Sequence, residues 1–145
     1  MQDVSSPLRA AYFEALNGQI SAQDGTGQTV PVPVLDNVAT KQKGPYIHFR
    51  DQTNVPDQVC ADGTANDATV LLEIVTEYQS DLGGRAQADV IAGQIYARIP
   101  SALVDPPGMN ITHTGVQMDQ SLSKEASQTH SFFRRLIRFR NTIYT

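Results

Sequence analysis

The stretch Leu71-Leu72-Glu73-Ile74-Val75-Thr76-Glu77-Tyr78-Gln79-Ser80-Asp81-Leu82-Gly83-Gly84-Arg85-Ala86-Gln87-Ala88-Asp89-Val90-Ile91 changes its period halfway along. From Ala68 to Tyr78 the pattern is that of a strand. Val70, Leu72, Ile74 and Tyr78 share one face, and Thr69, Glu73 and Glu77 the other, where Leu71 and Val75 add apolar area. From Gly84 to Ile99 the pattern is helical: Ala88, Ile91, Ala92, Ile95 and Ile99 form one stripe, and Pro100 stops it. Two glycines at the junction let the chain turn sharply where a β-carbon would clash. A phosphate cradle at such a corner needs Gly-x-x-x-x-Gly-Lys-Ser/Thr or Gly-x-Gly-x-x-Gly. Here Gly83-Gly84 is followed by Arg85, without the lysine, the metal-holding hydroxyl or a second glycine set. A small cytosolic ligand- or nucleotide-binding α+β domain, the competing reading, would have to work from this corner.

Outward from that unit, Ser6-Pro7 opens a helix, with serine as an acceptor for an early N–H and proline suited to the first turn. Leu8, Ala11, Tyr12, Ala15 and Leu16 recur at helical spacing, and Asn17-Gly18 ends the helix. Gln23 to Gln28 reads as a turn between extended segments. In Val30-Pro31-Val32-Pro33-Val34-Leu35, alternating proline removes every second donor, which predicts an edge strand or an extended arm over 28–36. Pro45 to Gln52 is a strand. Asn54 to Asp67 reads as a long polar loop, of a length that is often functional. Asp105-Pro106-Pro107-Gly108 is a turn, Asn110 to Met118 and Phe132 to Tyr144 are strands, and Asp119 to Thr129 reads as a loop. One helix lies between strands. The order predicts a single α+β domain over 1–145: a largely antiparallel sheet of about four to five strands with two helices packed on one face.

At 145 residues the chain is long enough to bury roughly 68–70% of its unfolded surface without staples. Its 40% apolar and 18% charged residues belong to a globular chain, not a disordered one. No apolar run approaches a membrane span, and Met1 to Ser5 carries no signal-peptide pattern. A single cysteine, Cys60, excludes an internal disulfide and a multi-cysteine zinc site. These features point to synthesis in a reducing cytoplasm.

The candidate chemistry is thin. Ser121-Leu122-Ser123-Lys124 fits Ser-x-x-Lys, but the companion motifs of acyl-serine enzymes are absent. His48, His113 and His130 lie on separate elements, without the i, i+4 spacing of helix-borne ligands. Asp57, Asp62 and Asp67 cluster in the 54–67 segment, yet the calcium-loop pattern fails at Gln58 and Cys60. No catalytic residue, cofactor site or metal site is assigned.

Charge is the informative feature. The net charge is −4, but Lys124 to Thr145 carries +4 and the remainder −8. In Phe132-Phe133-Arg134-Arg135-Leu136-Ile137-Arg138-Phe139-Arg140-Asn141-Thr142-Ile143-Tyr144, period two puts Phe133, Arg135, Ile137, Phe139 and Ile143 on a mostly apolar face. Phe132, Arg134, Leu136, Arg138, Arg140 and Tyr144 fall on the other. Arginine interleaved with aromatics suits nucleic acid, although an isoelectric point near 5.2 does not suit a nucleic-acid footprint. The other partners for this face are acids of the same chain, such as Glu73 or Glu77, and acids of a neighbouring copy, which arginine's planar fork pairs bidentately.

The assembled pattern resembles the tail completion, or tail terminator, proteins of long-tailed bacteriophages, including those described as tail-to-head joining proteins. The likeness is carried by the helix Ser6-Pro7-Leu8-Arg9-Ala10-Ala11-Tyr12-Phe13-Glu14-Ala15-Leu16, the Val-Pro-Val-Pro-Val arm and Pro45-Tyr46-Ile47-His48-Phe49. It continues through Thr69-Val70-Leu71-Leu72-Glu73-Ile74-Val75-Thr76, the helix to Ile95, and Arg134-Arg135-Leu136-Ile137-Arg138-Phe139. The resemblance implies a non-enzymatic virion subunit that assembles with itself, typically as a hexameric ring. Such a ring caps the tail tube at the head–tail junction, meeting the tail tube protein on one side and a head-completion or neck protein on the other. It implies no membrane and no specific nucleic acid. A head-to-tail ring contact needs two complementary surfaces on one subunit. The candidate contact residues are Arg134, Arg138 and Arg140 on the C-terminal strand, Val32 and Val34 on the arm, and Asp57, Asp62 and Asp67 in the 54–67 segment.

Overall fold

The computed structural model describes residues 3–24, 26–37, 42, 44–60, 63–78, 84–122, 125–126 and 131–145, leaving aside the side chains of 57–60, 78, 125–126 and 131. In chain order the elements are α1 (Ser5–Leu16), β1 (Ser21–Gln23), β2 (Thr29–Pro31), β3 (Val34–Leu35), β4 (Tyr46–Cys60) and β5 (Gly63–Tyr78). There follow α2 (Gly84–Arg98), β6 (Asn110–Ser121), β7 (Glu125–Ala126) and β8 (Ser131–Tyr144). The main sheet runs β3-β4-β5-β8-β6, with β7 pairing β8, and β1-β2 form a separate hairpin. Within the main sheet the β3–β4 pair is parallel and the rest are antiparallel. The chain is an α+β protein, as its sequence pattern predicts.

Both helices cover one face of this sheet. Leu8, Tyr12 and Leu16 of α1, with Ile91 and Ile95 of α2, join Ile47, Val70, Leu72, Ile74, Ile137, Phe139 and Ile143 in one core. Apart from Ile47 of β4, these sheet residues belong to the period-two sets read from β5 and β8, and the register places them side by side: Leu72 opposite Ile137 and Val70 opposite Phe139. At about 25 cal/mol per Å² of apolar surface, burial of this stripe is the main driving force for the fold. Tyr12 and Phe139 meet there with ring centroids 5.8 Å apart.

The start of α1 differs from expectation. Ser6 lies inside the first turn, and the early N–H, that of Ser5, is met by Asp3 Oδ1 at 2.9 Å. That hydrogen bond holds the Asp3 carboxyl below its usual range. At the other end Gly18 takes φ +73°, a left-handed conformation that glycine adopts without a β-carbon clash. The β1–β2 hairpin closes around Asp24, whose Oδ1 accepts from Thr26 N (2.8 Å) and Gln28 N (3.1 Å). It is stitched to α2 by side-chain amides: Gln94 Oε1 accepts from Ser21 N at 3.0 Å, and Gln87 Oε1 from Gln23 N at 2.9 Å.

Two sequence expectations are corrected here. The described residues of the 54–67 segment, 54–60 and 63–67, are strand and not loop. β4 and β5 pair from Tyr46–Val75 out to Cys60–Gly63, as one long hairpin with irregularities between Phe49 and Asp51 and between Pro56 and Gln58. The polar side chains of this segment resemble a loop's, but β8 pairs β5 on its other side as far as Ala65–Tyr144, so the ladder overrides local propensity. Pro56 is tolerated because β3 pairs only Ile47 and His48, which leaves β4 an edge at that point. Likewise β6 extends to Ser121 and β7 occupies part of the stretch read as a loop.

The proline-rich segment forms the edge strand that was one of its two readings, and not an arm. Ile47 N donates to Pro33 O at 2.9 Å, and Val32 N to Ile20 O at 2.9 Å, so the donors that proline spares are used. Val32 and Val34 are buried in the core of their own chain. They do not reach outward, and no contact with a neighbour is proposed for them.

Candidate interface on the open sheet face

The second face of the sheet carries no helix among the described residues. Register fixes what it displays: Arg134 stands opposite Val75, Leu136 opposite Glu73, Arg138 opposite Leu71 and Arg140 opposite Thr69. Although no layer covers it, the centre of this face is buried. Leu71, Glu73 and Val75 of β5 are each less than one-tenth exposed, hemmed by the longer side chains of the flanking strands. The arginine face read from the sequence therefore exists and lies on the side away from both helices.

Its charge is largely matched within the chain. Glu73 is the hub: Arg50 Nη1 donates to its Oε2, Arg134 Nη1 lies 3.9 Å from the same oxygen, and His48 Nδ1 lies 3.9 Å from Oε1. Arg140 Nε reaches both oxygens of Asp67, at 2.9 and 3.0 Å. Exposed pairs of that kind contribute about 0–1 kcal/mol, so the Arg140–Asp67 pair orients more than it stabilises. Arg138 is different. No carboxylate among the described residues pairs with it, and its Nε is buried with no acceptor.

The remaining candidates fall as follows. Asp67 is Arg140's partner and not a loop ligand. Asp57 lies on β4, at the irregularity between Pro56 and Gln58, and Asp62 falls outside the described residues, as do His130, Ser123 and Lys124. The described residues contain no group of three or more potential metal ligands, and no helix among them is long and apolar enough to cross a membrane. At the Gly84 corner, Thr76 Oγ1 donates to Gly84 O at 2.8 Å, tying the end of β5 to the start of α2. The cleft beside it, about 290 Å³, is lined by Arg85, Asp89 and Arg135 among others. Within it Arg135 and Asp89 already serve each other.

That cleft borders a cluster that period-two reading did not foresee. Arg135 sits on the helix side, at the margin of the core. It forks onto Asp119, Nε to Oδ1 at 2.8 Å and Nη2 to Oδ2 at 2.6 Å, and its Nη1 reaches Asp89 of α2 at 2.8 Å. Tyr96 donates to Asp119 Oδ2 at 2.6 Å, and burial together with that carboxylate pushes the phenol up to about 12. Arg135's hydrogen bonds hold the Asp119 carboxyl below its usual range. A carboxylate with a depressed folded-state pKa contributes stability above its ordinary pKa, about 3.9, and loses it as pH falls through the folded value. Thermal melts at falling pH are therefore expected to show wild-type stability declining below about pH 4, with a smaller decline in Asp119→Asn. Equal declines in the two proteins would remove the cluster from the acid response.

A second surface lies on the opposite side of the molecule. Phe13 and Glu14 are exposed on α1, off its buried stripe of Leu8, Ala11, Tyr12, Ala15 and Leu16. One cleft of about 300 Å³ on this ridge is lined by Arg9, Ala10, Phe13, Glu14, Asp36 and Phe49. Another, of about 370 Å³, is lined by Ala10, Glu14, Val104, Asp105 and neighbouring prolines. Val104 is 71% exposed. The sequence carried a signal for this surface, namely an aromatic residue displaced from an otherwise consistent helical stripe.

Comparison with known proteins adds a structural likeness. No protein-family model and no curated protein sequence matches the chain. A chain in the solved virion of a native gene transfer agent particle superimposes with a TM-score of 0.59 at 15% identity, over 77% of this chain and 78% of that one. At that identity the likeness shows a shared fold.

Proposed function

We propose that this chain is a structural protein of a phage-like virion, whose copies close into a ring, typically of six, that ends the tail tube and joins it to the head or neck. The observation that carries this reading is the fold it shares, over more than three-quarters of its length, with a component of a gene transfer agent virion. The sequence resemblance to tail terminators supports the finer assignment, as do two dissimilar surfaces on one subunit, which a head-to-tail ring requires. The reading assigns the chain no reaction. Its chemistry is contact with its own copies, with the tail tube protein and with a head-side protein, inside the virion.

The test is assembly. Purified protein is expected to sediment as a closed oligomer, alone or on tail tubes, and to stop tube growth when added to polymerising tail tube protein, with tube lengths read by negative-stain microscopy. Tubes that grow on unchanged, with the protein monomeric throughout, would overturn the assignment.

A further inference from the structure

We infer that the helix-free sheet face of one copy is covered by the α1 ridge of the next, with Arg138 of the first paired to Glu14 of the second. The inference rests on the ring reading above and adds to it which two surfaces meet.

Three observations converge. The first is a cation without a carboxylate: Arg138 Nε, like Arg134 Nε, is buried and lacks an acceptor, but Arg50, Arg134 and Arg140 on the same face each approach a carboxylate of their own chain, and Arg138 pairs with none among the described residues. A buried donor left unmet costs about 1–3 kcal/mol, and nearly all such groups in folded proteins find a partner. For a guanidinium the best partner is a carboxylate, which its planar fork meets with two parallel hydrogen bonds.

The second observation is the complementary acid. Of the three carboxylates on the ridge, Asp36 lies 3.6 Å from Arg9 and Asp105 Oδ1 accepts the Ile111 N–H at 3.0 Å. Glu14 has no partner among the described residues, stands exposed between the two clefts and borders both. Thus an unmatched cation on one face corresponds to an unmatched anion on the other.

The third is shape. A helix ridge laid on a sheet is the ordinary layer contact of α+β proteins, and this sheet has one face without it. Phe13 and Val104 beside Glu14 are exposed apolar groups that such a contact would cover. Leu136, two positions along β8, and Met118, opposite Arg138 on β6, adjoin it on the receiving face, neither fully buried. The two faces are different, so the contact is heterologous and joins copy to copy, making a ring where the rotation between copies closes.

Charge reversal tests this directly. Arg138→Glu and Glu14→Arg are each expected to shift the protein from oligomer to monomer in sedimentation velocity, with circular dichroism and the urea midpoint near wild type. Mixing the two variants is expected to restore the oligomer, since every contact in an alternating ring then joins opposite charges, and the double variant is expected to behave likewise. If each single variant keeps the wild-type mass, these surfaces are not the contact and the inference falls while the ring reading stands. If the single variants are monomers but neither the mixture nor the double variant recovers, Arg138 and Glu14 do not meet, and the inference again falls alone. Wild type that stays monomeric until an acidic virion protein or DNA is added, with Arg138→Glu losing that response and Glu14→Arg keeping it, would give Arg138 a different partner and overturn it. Wild type that is monomeric both alone and on tail tubes would overturn the ring reading and this inference together.

Discussion

Phe139→Ala is expected to lower the unfolding free energy by about 3–5 kcal/mol, a large part of the total for a domain of this size. The ring is 2% exposed and is wedged between Tyr12 (centroids 5.8 Å apart) and Tyr96 (6.1 Å). It is where α1, α2 and β8 converge, so three elements would have to move inward to fill the space its removal leaves. Each aromatic contact adds about 0.5–1.5 kcal/mol beyond the buried area, and alanine forfeits both. Urea titration followed by circular dichroism reads the loss as a lower midpoint at unchanged slope. Phe139→Leu, which keeps most of the volume, is expected to cost clearly less. A loss below about 1 kcal/mol for alanine would mean that the surrounding elements collapse onto the site, and that the three-way junction is not rigidly packed.

That junction was partly legible in the sequence. The period-two pattern of β8 placed Ile137, Phe139 and Ile143 inward and Arg134, Arg138 and Arg140 outward, because a strand's alternation is dictated by its backbone and needs no knowledge of partners. The α2 stripe was legible for the same reason. The stretch 54–67 was misread because its strand character comes from pairing on both sides of β5, a tertiary fact that its Asp, Asn and Gly content hides. Val32 and Val34 were read as possible outward contacts because proline explains why a strand must lie at an edge, but not which way its side chains point.

The candidate site was legible as a face and not as a set of pairs. Glu73 had been named as a possible cross-strand acid, yet nothing local shows that it gathers both Arg50 and Arg134, or that Asp67 reaches Arg140 across 73 positions of sequence. These pairings redistribute the segment's +4. Most of what looked like a basic patch for an external partner is matched at home, and the residue left over, Arg138, could be singled out only once the others had been accounted for.

Asn141→Ala is the second large loss expected. Asn141 lies on the inward face of β8, fully buried, at a polar knot beside Tyr12. Its Oδ1 accepts from Tyr12 Oη and from Thr114 Oγ1, each at 2.8 Å, and its Nδ2 donates to Ala68 O at 3.2 Å. The knot joins α1, β5, β6 and β8, and burial of the Tyr12 phenol raises its pKa well above the usual value. Alanine would strand the buried Tyr12 hydroxyl, which alone costs about 1–3 kcal/mol, and would open a small void besides. The cost comes from leaving one partner unmet, so removing both should recover much of it. Asn141→Leu combined with Tyr12→Phe is therefore expected to be more stable than Asn141→Leu alone, with a coupling of about 0.5–3 kcal/mol in a double-mutant cycle. Additive losses would mean that the two side chains do not depend on each other, and that the α1 helix is held to the sheet by apolar contact alone.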